Sequence, residues 1–334
     1  MAIVEYTEKL RQALSQIDVP IPTVSPYQFE LLDTANLDLG NEIDKQGEWE
    51  KAANIYWTVF ETATEPKERA IGLISTVQML INHNELERAT YLLENELPSL
   101  QTQLSGRDST YIEAYAATKP GWVADMEGRH DEAIVAFQRA KELIGEPQSE
   151  EEEITLSVCR HFIGRNATQN AIHGINAEVN FALGRQNFLE DRRYWEEQIA
   201  KGKGNSMNLA FQDHWLVTIA VYQGDLREAE AIIERERSLV DEFVYESPKS
   251  GARGYYYHDL AVLEVAHGNM EQARDYFDQE LKQWTEVQQY GRGQADALMG
   301  IAMCLLAEGQ NEEAQTYLER AVAANPKIKQ KGFI

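Results

Sequence analysis

Three histidines are the residues in this chain with the most obvious chemistry. His214 and His258 occupy equivalent places ahead of Gly224 and Gly268, and His173 lies one residue off the matching place ahead of Gly184. With Glu178 nearby, imidazoles in such register could hold a metal or pass protons. On stacked helices, however, equivalent residues sit about 10 Å apart, too far to share one ion without help. The chain also has no Gly-rich phosphate loop, no HExxH, no paired CxxC and no nucleophile elbow. The expectation is a protein that is not an enzyme, with structural histidines and neither metal nor cofactor. Cys159 and Cys304 are far apart and read as two reduced thiols.

Other side chains suit binding better than catalysis. Asn41, Gln78, Asn176 and Asn180 carry amides that can pair with the backbone of an extended peptide. Trp122, Phe181, Phe211, Tyr222 and Tyr255–Tyr257 supply aromatic area of the kind that anchors partners. Lys119-Pro120-Gly121-Trp122 places a proline inside a helical pattern, where it starts or kinks the helix. The run Ser149–Glu153 reads as a solvated helix start, because acidic residues favour the positive end of the helix dipole.

The elements that must position these residues are amphipathic helix pairs. In residues 295–326, Leu298, Ile301, Ala302 and Leu305 share one stripe and Gly309 ends the helix. Ala314, Leu318 and Ala321 then recur on a second helix, which Pro326 stops. The same signature recurs upstream around Gly47, Asn84, Gly128, Gly184, Gly224 and Gly268. The copy around Gly184 is the weakest, with Asn176, Asn180 and Arg193 at normally apolar places. A lone amphipathic helix at residues 3–18, with Tyr6, Leu10, Leu14 and Ile17 on one side, precedes a connector rich in proline.

This layout resembles the tetratricopeptide repeat, TPR. The resemblance implies an all-α, right-handed α-α superhelical solenoid of about seven hairpins over residues 29–326. Residues 1–28 would form a helix capping the first repeat, with its connector, and 327–334 a tail. The repeats are longer than the usual figure of roughly 34 residues, with the widest interval before Gly184. In the family, first helices line a concave groove that takes peptides or partner helices. On that register the groove is lined by two series, one running through Asn41, Gln78, Trp122, Glu178, Thr218, Val262 and Met303, the other through Leu37, Ile74, Thr118, Gly174, His214, His258 and Met299. Partner-binding candidates are therefore Asn41, Gln78, Trp122, Glu178, Asn180, His214, Tyr222, Tyr255 and His258. The resemblance implies a non-enzymatic protein- or peptide-binding scaffold. Long, amide-lined repeats also resemble Rap-type regulators, which sense short peptides by a change of superhelical pitch.

Charge narrows the partners. Asp and Glu number 55 against 31 Lys and Arg, for a formal net charge of −24. Such a surface repels phosphate backbones and anionic lipid, so nucleic acid and membranes are not expected ligands. The groove also lacks the Lys/Arg/Asn cluster that would grip a terminal carboxylate. The stretch MAIVEYTEKLRQAL has no long apolar core of the signal-peptide type, and a cytoplasmic location is expected.

Overall fold

A computed structural model describes residues 2–17, 27–45, 48–82, 85–246, 252–287 and 291–325. Sixteen helices and no strand occur among them. They divide between two compact units, residues 22–162 and residues 1–21 with 163–334.

In the 22–162 unit, α2 (Leu37–Lys45) pairs with α3 (Trp49–Thr62) and α4 (Pro66–Asn82) with α5 (Leu86–Asn95). After the short α6 (Leu97–Gln101), α7 (Gly106–Met126) pairs with α8 (His130–Ile144). Gly128, at φ 71, makes the α7–α8 turn. Ala133, Phe137 and Ala140 recur on one face of α8 and are fully buried. Two of the turn marks, Gly47 and Asn84, lie outside the described residues, as do Pro326 and the tail. α7 runs through Pro120, whose ring is exposed. Thr118 donates its hydroxyl hydrogen back to the Tyr115 carbonyl at 2.7 Å, one turn before the proline.

The helix α9 (Glu150–Ile172) contributes residues to both units. In the 163–334 unit it is followed by α10 (Ala177–Ala200), α11 (Ser206–Gln223) and α12 (Leu226–Glu246). Then come α13 (Ala252–His267), α14 (Met270–Val287), α15 (Gly291–Ala307) and α16 (Asn311–Ala324). The helices α11 to α16 form three consecutive hairpins, turned by Gly224, Gly268 and Gly309 at φ 81, 82 and 78. Such angles cost glycine little and any other residue more. Asn205 and Asn208 start α11 reciprocally, each side chain accepting from a free backbone N–H at the helix end.

One register mark needs correction. Gly184 is not a turn; it lies inside α10, where a Cβ would stand 2.5 Å from Thr168 Oγ1 and 3.1 Å from the Gly164 carbonyl. The turn is made instead by Gly174 at φ 76 and Asn176 at φ 42. Both glycine roles, turn and close approach, look alike in sequence. The shift moves Glu178 and Asn180 from a first helix to the opening turns of a second.

The N-terminal helix α1 (Ala2–Ser15) also differs from expectation. It packs against α11, α13 and α15, the first helices of the last three hairpins. Ile3, Leu10, Leu14 and Ile17 are at most 5% exposed and join the apolar cluster that includes Val262, Met299 and Met303. Seated there, α1 removes the apolar wall of α11, α13 and α15 from water, which a place over the first hairpin would not do. No helix among the described residues is long and apolar enough to cross a membrane.

Candidate functional site

In the 163–334 unit the side chains read as groove residues are mostly inside. His214 and His258 are buried, with ring centroids 5.5 Å apart, closer than helix spacing alone suggests. Each turns its Nδ1 to a different acid: His214 to Asp259 Oδ1 at 2.8 Å, His258 to Glu280 Oε2 at 3.1 Å. Burial opposes the imidazolium of His258, but Glu280, Asp259 and Asp296 outweigh it and hold the pKa up at about 9. Glu280 in turn accepts from Trp284 Nε1 at 3.2 Å. Glu236, fully buried, has its carboxyl pushed well up by burial and by the neighbouring Asp259. Among the described residues no group of three His, Cys, Asp or Glu is placed to hold a metal ion. These polar groups lock helices to one another. Asp213 does the same, accepting from Arg192 Nε of α10 at 2.9 Å and Arg235 Nε of α12 at 2.8 Å.

Tyr222, near the end of α11, is buried and its hydroxyl lies 2.8 Å from Thr7 Oγ1 of α1. It anchors the chain's own first helix. Tyr255 is half-buried, edge-on to Phe211, His214 and Trp284. Glu178 is exposed, and half-buried Asn180 donates to the Ile175 carbonyl at 2.8 Å, closing the turn before α10. The expectation of an open wall along α11, α13 and α15 is therefore not met. Thr218, Val262, Met299 and Met303 are at most 1% exposed, and α1 lies over the helices that carry them.

In the 22–162 unit, Asn41 is exposed and accepts the Tyr56 hydroxyl at 2.8 Å. Ile74 and Thr118 are buried. Half-buried Gln78 accepts from Lys119 Nζ at 3.0 Å through Oε1 and donates to Asn82 through Nε2 at 3.0 Å. Lys119 is 2% exposed, its ammonium 4.2 Å from the centre of the Tyr115 ring. Burial pulls its pKa down to about 7. Trp122 packs against Phe162 and Phe137, ring centroids 4.0 and 6.5 Å away. Pro120 thus goes with an aromatic stack that leaves Trp122 half-buried.

The sequence reading overlooked a second surface of this unit. Residues 27–32 run extended along α3 and α5, with backbone amides of the segment held by helix side chains. Asn54 and Thr58, the receiving groups on α3, lie on a second helix and not on a first. The same register error hid Asn166, Gln169 and Asn170, buried polar residues of α9 that the misplaced turn left in an apparent insertion.

The fold defines a TPR-like helical repeat protein. Residues 253–327, which span the last two hairpins, match the tetratricopeptide repeat family. No curated protein sequence matches the chain. Among solved structures, Rap protein complexed with competence and sporulation factor superposes with a TM-score of 0.60 at 12% identity, over 87% of this chain and 76% of that one. NprR in complex with its cognate peptide NprX gives 0.58 at 13% identity, over 88% and 77%. At such identities the likeness is one of fold.

Proposed function

We propose that the chain is a non-enzymatic scaffold that binds protein or peptide segments on the walls of its helix hairpins. The observation that carries this reading is α1. The wall of α11, α13 and α15 already holds a separate amphipathic helix, through aliphatic side chains spaced three and four apart and the Thr7–Tyr222 hydroxyl pair. A wall of that kind takes amphipathic helices by the same chemistry from any source. Of the residues expected to meet a partner, Asn41 and Glu178 are exposed, and Gln78, Trp122, Asn180 and Tyr255 are half-buried. These a partner reaches directly, whereas Tyr222 becomes available when α1 leaves.

The test is quantitative capture from native lysate by the full chain and by a Leu10→Glu/Leu14→Glu variant that unseats α1. The variant is expected to retain a defined partner that the unaltered chain holds more weakly. Equal and non-specific recovery by both would count against the scaffold.

A second reading, a Rap-like regulator that senses a peptide by changing pitch, is favoured by the two fold neighbours, one of them solved with its cognate peptide. Solution scattering separates the two: a peptide-driven change in radius of gyration supports the sensor, and an unchanged radius on saturated binding supports the plain scaffold.

A further inference from the structure

The strip of α3 and α5 that holds residues 27–32 is built like a peptide receptor. Glu30 N–H donates to Asn54 Oδ1 at 2.9 Å and Leu32 N–H to Thr58 Oγ1 at 3.1 Å. The acceptors are one helical turn apart, about 6 Å along the axis. The amides are two extended residues apart, about 6.7 Å. One face of α3 thus reads two alternate amides of the segment through groups that any residue's backbone could meet. Upstream, Tyr27 N–H donates to Glu85 Oε1 at 2.8 Å, and the Tyr27 carbonyl accepts from Arg88.

Side-chain selectivity comes from the alternate positions. Phe29 stacks on Trp57 with centroids 4.8 Å apart and planes at 11°, and the Arg88 guanidinium covers the Phe29 ring at 4.3 Å. The Tyr27 ring lies 5.1 Å from that of Trp49, and its hydroxyl donates to the Glu50 carbonyl at 3.1 Å. Gln28 and Glu30 are exposed, as the two-residue alternation of an extended chain requires. Leu31, next in line, is 63% exposed, so the apolar chemistry of the strip ends at Phe29. Asn54 and Thr58 are 9% and 2% exposed.

The geometry points to this strip as a binding site for an extended segment of another protein with an aromatic-x-aromatic pattern, a site that the chain's own residues 27–32 occupy until such a segment replaces them. The site is distinct from the α1 wall and does not depend on it. The tether gives the resident segment a high effective concentration, so an incoming peptide competes at a disadvantage in the unaltered chain.

The experiment uses the full chain and a fluorescein-labelled peptide of the sequence VSPYQFELLD, residues 24–33. Anisotropy titrations are run with the unaltered chain and with Tyr27→Ala/Phe29→Ala, whose helical content is checked by circular dichroism. The double variant is expected to bind at least tenfold tighter than the unaltered chain, and a peptide with its Phe changed to Ala at least tenfold more weakly. A folded double variant that binds neither peptide, or both equally, overturns the site. Should that variant not fold, hydrogen exchange on the unaltered chain decides. Excess unlabelled peptide must speed exchange at the amides of Glu30 and Leu32, and unchanged exchange overturns the proposal. A concentration-dependent dimer dissolved by the peptide would assign the strip to a second copy of the chain, and overturn its assignment to another protein.

Discussion

His258 Nδ1 stands 3.1 Å from Glu280 Oε2 with both residues at most 3% exposed, so α13 is tied to α14 by a charge pair cut off from water. Burial raises the Glu280 carboxyl, yet three carboxylates facing one imidazole keep His258 charged, with a pKa of about 9 against an ordinary 6.5. A pKa raised on folding stabilises fully below the unfolded value and loses that contribution as pH climbs through the folded one. His258→Gln should thus cost most near pH 6, and the deficit should shrink by pH 9.5. Thermal melts of both proteins across that range check it, and a constant deficit would mean that the pair is neutral.

Lys119 has the opposite sign. Its folded pKa of about 7 lies below the ordinary 10.5 of a lysine, so the unfolded chain binds the extra proton between these values. Stability from this group therefore rises with pH from about 7 to 10.5 and is flat below. Lys119→Met keeps the stem that fills the site and removes the charge. It should match or exceed the unaltered chain at pH 7, with the advantage fading toward pH 10, as measured by urea unfolding.

Two glycines separate turn from close approach. Gly309→Ala meets nothing within 4 Å, but its φ is +78, and the change should cost about 1 kcal/mol. Gly184→Ala pushes a Cβ against Thr168 Oγ1 at 2.5 Å, between α9 and α10, where overpacking costs about 1–3 kcal/mol. Denaturant midpoints of the two variants check the order. A harmless Gly184→Ala would return that residue to a loop role.

These glycines also mark where the sequence could be read and where it could not. Stripes such as Leu298, Ile301, Ala302 and Leu305 disclosed the hairpins, because burial on one helical face leaves a 3.6-residue period. Gly184 broke the register because a small residue is demanded equally by a tight turn and by a crowded helix contact. The surfaces were less legible still. Nothing in the spacing of His214 or Tyr222 says that Asp259 or Thr7 will meet it, since those partners come from other helices. Asn54 and Thr58 carry no signal of their own on the second helix of a hairpin, and only the path of residues 27–32 gives them a role.

The seat of α1 yields a graded prediction. Leu10→Ala, at a site 1% exposed, should cost about 2–4 kcal/mol. Tyr222→Phe removes the hydroxyl that meets Thr7 and should cost about 1 kcal/mol. Native-state hydrogen exchange on α1 checks both, with faster exchange expected in that order. Equal protection in all three proteins would mean that α1 is held by something other than this wall.

The most direct measurement of whether the hairpin walls receive polypeptide is a titration in trans. The full chain carrying Leu10→Glu/Leu14→Glu is mixed with a labelled peptide of residues 1–17, and binding is followed by anisotropy. The account predicts saturable one-site binding, lost when the peptide carries Leu10→Glu. Absence of saturation with a folded variant, or equal binding of the altered peptide, would contradict it.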